Sequence, residues 1–210
     1  LILISKNGLS DATLRIAISR GVGSIGYLPT GPASPTVIIE ATPRQMPPAD
    51  PASLWLSDYE KPSPKALPVA HKLAQGVNST LVRMQAAQHG CLDGLQRNTD
   101  GYICETSSAN LFWLTGETLY TPSLECGILA GTTRDAILRI SPYRIEEGHY
   151  RLETLQEAQA VIATNTNWQA MPVTALQPLG WQWPESVVLA HAIRAALMKD
   201  IHAYAAAHHA

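Results

Sequence analysis

Apolar and polar residues alternate over residues 14–20 (LRIAISR), the two-residue period of a half-buried strand, and residues 36–42 (TVIIEAT) form a more continuous β-branched run. Between them, RGVGSIGYLPTGPASP is dense in glycine and proline, which predicts a long irregular loop instead of a tight hairpin. Seven prolines fall between Thr42 and Pro68, around the strand-like ASLWLSD, so this stretch is expected to link two domains. Beyond it, Leu73, Val77, Leu81 and Met84 recur at helical spacing and predict a helix over 72–89, stopped by Gly90. The short runs LDGLQR, YICE, ANLFWLT and ETLYT, separated by turns at Thr99-Asp100-Gly101 and at Gly116, predict a β-meander. A helix is expected from Gly131 to Ile140, a strand at YRIEEG, a short helix over 152–157, strands at VIATN and MPVTAL, and a closing helix over 184–204. The mixture implies an α+β or α/β protein of two domains, 1–66 and 67–210, the first smaller and rich in strand.

Composition narrows the class. With 46% hydrophobic and 15% charged residues over 210 positions, the chain has material for a core and lacks the signature of disorder. A net charge of −2 supplies no basic field for nucleic acid or an anionic membrane, so the expected partners are small molecules. Cys91, Cys104 and Cys126 are odd in number and lack CxxC spacing, which predicts neither a disulfide framework nor a zinc site and fits the cytoplasm. The initial LILI run is too short for a membrane span, and no histidine pair has metal-ligand spacing.

Five segments can carry chemistry. Of the five lysines, Lys6, Lys61, Lys65 and Lys199 read as solvated, Lys61 and Lys65 through their place in the Pro-rich segment. Lys72 alone follows an apolar run (LPVAH), which fits a catalytic amine, though by itself it fits an ordinary helix-start lysine better. Glu105 opens a polar turn, Thr106 to Asn110, in which small side chains would admit a flat ligand; Asx- and ST-type turns explain the same residues. Gly131-Thr132-Thr133-Arg134 can present free N–H groups and hydroxyls to a phosphate or can simply cap a helix. The cluster Thr164-Asn165-Thr166-Asn167 offers more donors or a plain turn, and Arg20 can grip a carboxylate or sit at a strand end.

The order of these segments is informative. Lys72, then Glu105-Thr-Ser-Ser-Ala-Asn-Leu-Phe, then Gly127-Ile-Leu-Ala-Gly-Thr-Thr-Arg134 resembles the class IV aminotransferases, the fold-type IV pyridoxal-phosphate enzymes; LRIAISRGVGSIGY resembles their N-terminal strand and loop. The resemblance implies a two-domain fold, pyridoxal 5'-phosphate as cofactor and a homodimer. It makes Lys72 the Schiff-base lysine and catalytic base, and Glu105 the carboxylate facing the pyridine nitrogen. Thr132 and Thr133 become the phosphate-binding helix start, Thr166 a late phosphate hydroxyl, Leu129 the apolar residue behind the ring, and Ser108 part of the turn beside it. Arg20 and Ala109 are implied in substrate binding.

Against the family pattern, an N-terminal segment expected to carry a phosphate-binding arginine does not precede LRIAISR, so the start of the small domain is expected to be missing. Leu73-Ala74-Gln75-Gly76-Val77-Asn78 follows the lysine where branched-chain enzymes usually show Gly-Gly-Asn-Tyr, which disfavours a typical branched-chain enzyme. The leading expectation is an aminotransferase acting on an amino acid and a 2-oxo acid. Aminodeoxychorismate lyase, releasing 4-aminobenzoate and pyruvate, is the alternative enzyme, and a cofactor-binding or dimeric scaffold without turnover is the alternative outside catalysis.

Overall fold

The computed structural model describes residues 2–44 and 51–208. Its elements are α1 (Ile2–Lys6), β1 (Ala12–Ser19), β2 (Thr36–Pro43), β3 (Ala52–Leu56), α2 (Val77–Gln88), β4 (Asp93–Arg97), β5 (Ile103–Thr106), β6 (Asn110–Thr115), β7 (Thr118–Pro122), α3 (Thr132–Ile140), β8 (Arg144–Gly148), β9 (Ala160–Thr164), β10 (Met171–Gln177), β11 (Trp181–Gln182) and α4 (Ser186–His208). Each predicted strand is present; α1 and β11 were not expected, and the helix expected over 152–157 is a 3₁₀ turn at Leu152–Leu155.

The chain divides into the compact units Leu1–Pro47 and Pro48–Ala210. In the first, β1 and β2 form an antiparallel ribbon in the register Ala12↔Pro43 to Ser19↔Thr36. The loop after β1 is closed by Arg20, whose Nη2 donates to the Gly31 carbonyl at 2.7 Å. Gly21 has φ +91, and a Cβ there would lie 1.8 Å from the Ser34 carbonyl oxygen, so the loop closes only around glycine.

The expected division at 66/67 differs from this one. ASLWLSD is not part of a linker: its β3 pairs in parallel with both β4 and β10 at the centre of the second unit. The part of the expected linker at 45–50 lies outside the described residues.

In the second unit, β10, β3, β4, β5, β6 and β9 pair in succession, and β9 pairs back onto β10, which closes a ring; β7 and β8 continue from β6 and β11 from β10. A closed ring buries the inner face of its strands, and where α3 and α4 pack outside the second face is buried as well, which the apolar runs of β6 and β9 match. Along β6, Leu111 and Trp113 join the cluster to which every ring strand contributes, while Phe112 joins a second cluster with α3 and α4. Val161 and Ala163 of β9 alternate with Ala160 and Ile162 in the same way. On α4, Leu189, Ile193 and Leu197 recur every four residues and are buried.

Helix α2 differs from expectation. It begins at Val77, and the stripe used to predict it is exposed, Val77 by 63% and Met84 by 55%; its packed face is Val82 and Ala86. The reason is Gly94: a Cβ there would meet Val82 Cγ1 at 2.5 Å, so its absence lets α2 lie directly on β4. No described helix is long and apolar enough to cross a membrane.

Candidate active site

The site is built on the β5–β6 connection, where Glu105 at the end of one strand pairs with Asn110 at the start of the next. The turn between them closes on itself, the Thr106 N–H donating to the Ala109 carbonyl at 2.9 Å and the Ala109 N–H to Thr106 Oγ1 at 3.0 Å. Beneath it lies Asp93 of β4, fully buried. Thr106 Oγ1 and Ser108 Oγ each donate to Asp93 Oδ2 at 2.9 Å, and the Ser107 N–H donates to Oδ1 at 3.2 Å. Asp93 thus anchors the turn, a role absent from the sequence reading. The strand there, Asp93–Arg97, is mixed in polarity and gave no sign of it; the carboxylate needs partners only because the fold buries it.

Glu105 is held on both oxygens. The Leu129 N–H donates to Oε1 at 3.1 Å and Asn110 Nδ2 to Oε2 at 2.8 Å, while the same Asn110 nitrogen donates to the Leu129 carbonyl at 2.9 Å. The third partner is Lys61, whose Nζ lies 2.5 Å from Oε1, the two side chains 12% and 5% exposed. The expectation that Lys61 is solvated is therefore corrected. The Lys61 N–H donates to the Arg97 carbonyl, and Asn78 Nδ2 donates to the Glu60 carbonyl, so the segment after β3 is strapped across the sheet with its amine turned inward. Burial pushes the Glu105 carboxyl above its ordinary range, opposed by Lys61, the Leu129 N–H and the charge of Lys72. Burial likewise raises the thiols of Cys104 and Cys126, which keeps them neutral.

A cavity of about 660 Å³ opens over Glu105, a size suited to a cofactor-sized ligand. Lys72, Ser108, Ala109, Leu129, Thr132, Thr133 and Thr166 all line it, so the structure gathers these predicted residues around one space. Lys72 itself is exposed, contrary to the apolar setting expected from LPVAH: with α2 starting at Val77, it sits in irregular chain before the helix and not along a helix face. Ser108 Oγ is committed to Asp93, and the Ser108 carbonyl accepts Asn165 Nδ2 at 3.2 Å. Thr132 and Thr133 open α3, whose N-cap Gly131 makes no side-chain cap. A Cβ on Gly131 would come within 2.2 Å of Asn110 Oδ1, so the glycine admits Asn110 to its place beside Glu105. Thr164 also lines the cavity, is 1% exposed, and its Oγ1 has no hydrogen-bond partner. The sequence reading placed Thr164 in a polar cluster but chose Thr166. Arg20 belongs to the first unit, with its guanidinium on the carbonyls of its own loop.

The model of the family "amino-transferase class IV" matches residues 2–176. A branched-chain-amino-acid aminotransferase of Escherichia coli K12 is 30% identical over 183 residues, covering 83% of this chain and 59% of that protein. An aminodeoxychorismate lyase of Bacillus subtilis is 25% identical over 187 residues, covering 85% of this chain and 63% of that protein. The crystal structure of the Escherichia coli branched-chain amino acid aminotransferase superposes with a TM-score of 0.87 at 28% identity, over 94% of this chain and 68% of that one. The chain thus spans about three-fifths of the length of these curated relatives.

Proposed function

This chain belongs to the class IV aminotransferase family, and from that premise we propose a pyridoxal-phosphate-dependent aminotransferase that moves an amino group between an amino acid and a 2-oxo acid. The observation that carries the reading is that Lys72 and the buried Glu105 line one cavity. A single amine and a single carboxylate are the two groups such chemistry demands of a protein.

The residues present fit the cofactor at both ends. Thr164 Oγ1, buried without a partner, and the uncapped start of α3 at Thr132 and Thr133 suit a phosphate, which binds well to free N–H groups and hydroxyls at a helix N-terminus. Thr166 lies on the same rim. Glu105 suits a protonated ring nitrogen and Leu129, half-buried beside it, an apolar ring face. When bound, pyridoxal phosphate supplies an electron sink for the pair left at a substrate Cα. Lys72 is then the group that accepts the Cα proton and returns it, while Glu105 holds a proton on the ring nitrogen through charge and hydrogen bonding. The Asp93-anchored turn keeps Ser108 and Ala109 low along the cavity wall, and Ala109 and Arg20 are assigned to the substrate from the resemblance. The same reading has the protein acting in the cytoplasm as a homodimer, with the domain division expected from sequence, 1–66 and 67–210, redrawn to the compact units.

The test is a visible spectrum of the purified protein with cofactor, followed by borohydride reduction and peptide mapping. A phosphopyridoxyl group on Lys72 and acceptor-dependent formation of new amino acid are expected. Labelling of Lys61 in place of Lys72 would reassign the amine, pyruvate release from aminodeoxychorismate without an acceptor would make the protein a lyase, and cofactor binding without turnover would make it a scaffold.

A further inference from the structure

Lys61, the ion-pair partner of Glu105, has no part in the chemistry above. Lys72 accounts for the amine and Glu105 for the carboxylate, yet a second amine, that of Lys61, lines the same cavity and is largely buried at 12% exposure. A buried ammonium is costly unless paired, so its position needs a reason. An ionised carboxylate offers about four acceptor positions. Lys61 and the Leu129 N–H take two on Oε1 and Asn110 takes one on Oε2, which leaves one on the cavity side. The groups facing Glu105 are the Lys61 ammonium, the Lys72 amine, the neutral thiol of Cys104, and the uncharged Asn110 and Leu129 amides. Lys61 is the one cation among them in ion-pair contact with the carboxylate.

The geometry points to Lys61 as a positioning residue: its ammonium holds Glu105 ionised and in place, so that the remaining acceptor position is available to a cationic ring N–H in the cavity. Two opposing effects act on Glu105. Burial favours the neutral acid, which would compete for the ring proton, and Lys61 works against burial. The pair is neutral overall, and it keeps an acceptor position of Glu105 oriented toward the cavity before any ligand arrives. This inference rests on the cofactor reading for the identity of the ring, whereas the state of Glu105 is open to measurement in the apoprotein.

The experiment is a carbon-13 NMR titration of the Glu-labelled apoprotein, with the Glu105 resonance assigned by its loss in Glu105→Gln, run for wild type, Lys61→Met and Lys61→Arg, alongside pyridoxal 5'-phosphate binding by absorbance against pH. Lys61→Met should raise the Glu105 midpoint by about 1 to 3 pH units, the range for losing an adjacent opposite charge, and should move the pH profile of cofactor affinity upward by the same interval. Lys61→Arg should restore both. If Lys61→Met fails to fold, Lys61→Gln gives the same reading. An unchanged Glu105 midpoint in the neutral variant would overturn the proposal, as would tighter cofactor binding by it, which would mean that Lys61 occupies the ring's own place. A Lys61-dependent midpoint in a protein that binds no cofactor would leave the positioning role of Lys61 toward Glu105 standing and sink the cofactor reading instead.

Discussion

Asn110 and Glu105 face each other across β5 and β6, and Asn110 Nδ2 donates both to Glu105 Oε2 at 2.8 Å and to the Leu129 carbonyl at 2.9 Å. One side-chain nitrogen therefore joins the carboxylate to the loop that leads into α3. Asn110→Ala should lower unfolding stability by about 1–3 kcal/mol, since it strands two buried acceptors, and should weaken cofactor binding together with stability. Denaturant unfolding of the apoprotein and an absorbance titration measure the two effects. Unchanged stability would mean that the bridge does not form.

Thr164 gives the opposite pairing of effects. Its Oγ1 is buried and unpartnered, so Thr164→Val removes no intramolecular bond and should leave apoprotein stability within about 0.5 kcal/mol of wild type or slightly improved. Phosphate at the cavity would lose a charge-assisted donor, worth about 1.5–3 kcal/mol, or tenfold and more in affinity. Inorganic phosphate and pyridoxal 5'-phosphate titrations should both register the loss. Equal binding by the two proteins would remove Thr164 from the phosphate site.

Stability should depend on pH through Glu105. Its carboxyl is raised in the folded protein, chiefly by burial, so between the unfolded and folded carboxyl values the folded state holds a proton that the unfolded state has released, and above the folded value Glu105 is the carboxylate paired with Lys61. The stability contributed by that proton is fully present below the unfolded carboxyl value and is lost as pH rises through the higher folded value. Glu105→Gln keeps the neutral shape at every pH. The melting temperature of wild type relative to Glu105→Gln should accordingly fall from acid toward neutral pH, and a difference that grows in wild type's favour would reverse the sign assigned to burial.

Gly131→Ala tests the approach of α3 to the carboxylate. Gly131 has φ −72 and ψ 136, ordinary for alanine, so any penalty is purely steric. The added Cβ would lie 2.2 Å from Asn110 Oδ1 and must push that side chain aside. A stability loss of about 1–3 kcal/mol is expected, with weaker cofactor binding. Combining it with Asn110→Ala should cost much less than the sum of the two, because the smaller residue removes the clash; full additivity would show that Gly131 matters for another reason.

Much of this was legible along the chain. The strands could be read because β6 and β9 bury both faces and therefore run apolar without interruption. The candidate site residues could be read because a turn after Glu105 and a helix start at Thr132 need small polar side chains in close sequence. Helix α2 was found for a reason that did not hold: the counted stripe is exposed, and the packed face of Val82 and Ala86 depends on a glycine in a different element. Periodicity detects a helix without saying which face another surface will cover.

Pattern and local chemistry thus determined most of the elements and marked the candidate segments, and the family resemblance carried by their order implied the residues from Lys72 to Thr166 that line one cavity. Only the tertiary structure decided which groups are buried together. Lys61 looked solvated because proline-rich neighbours predict a surface segment, yet strand β3 belongs to the ring and the chain leaving it bonds back to β4 at Leu95 and Arg97, with the amine on Glu105. Asp93 was not singled out along the chain, and pairing of β4 with β5 sets it under the turn. Both facts arise from contacts between residues distant in sequence, and burial there sets the strength of each charge, which no local pattern encodes.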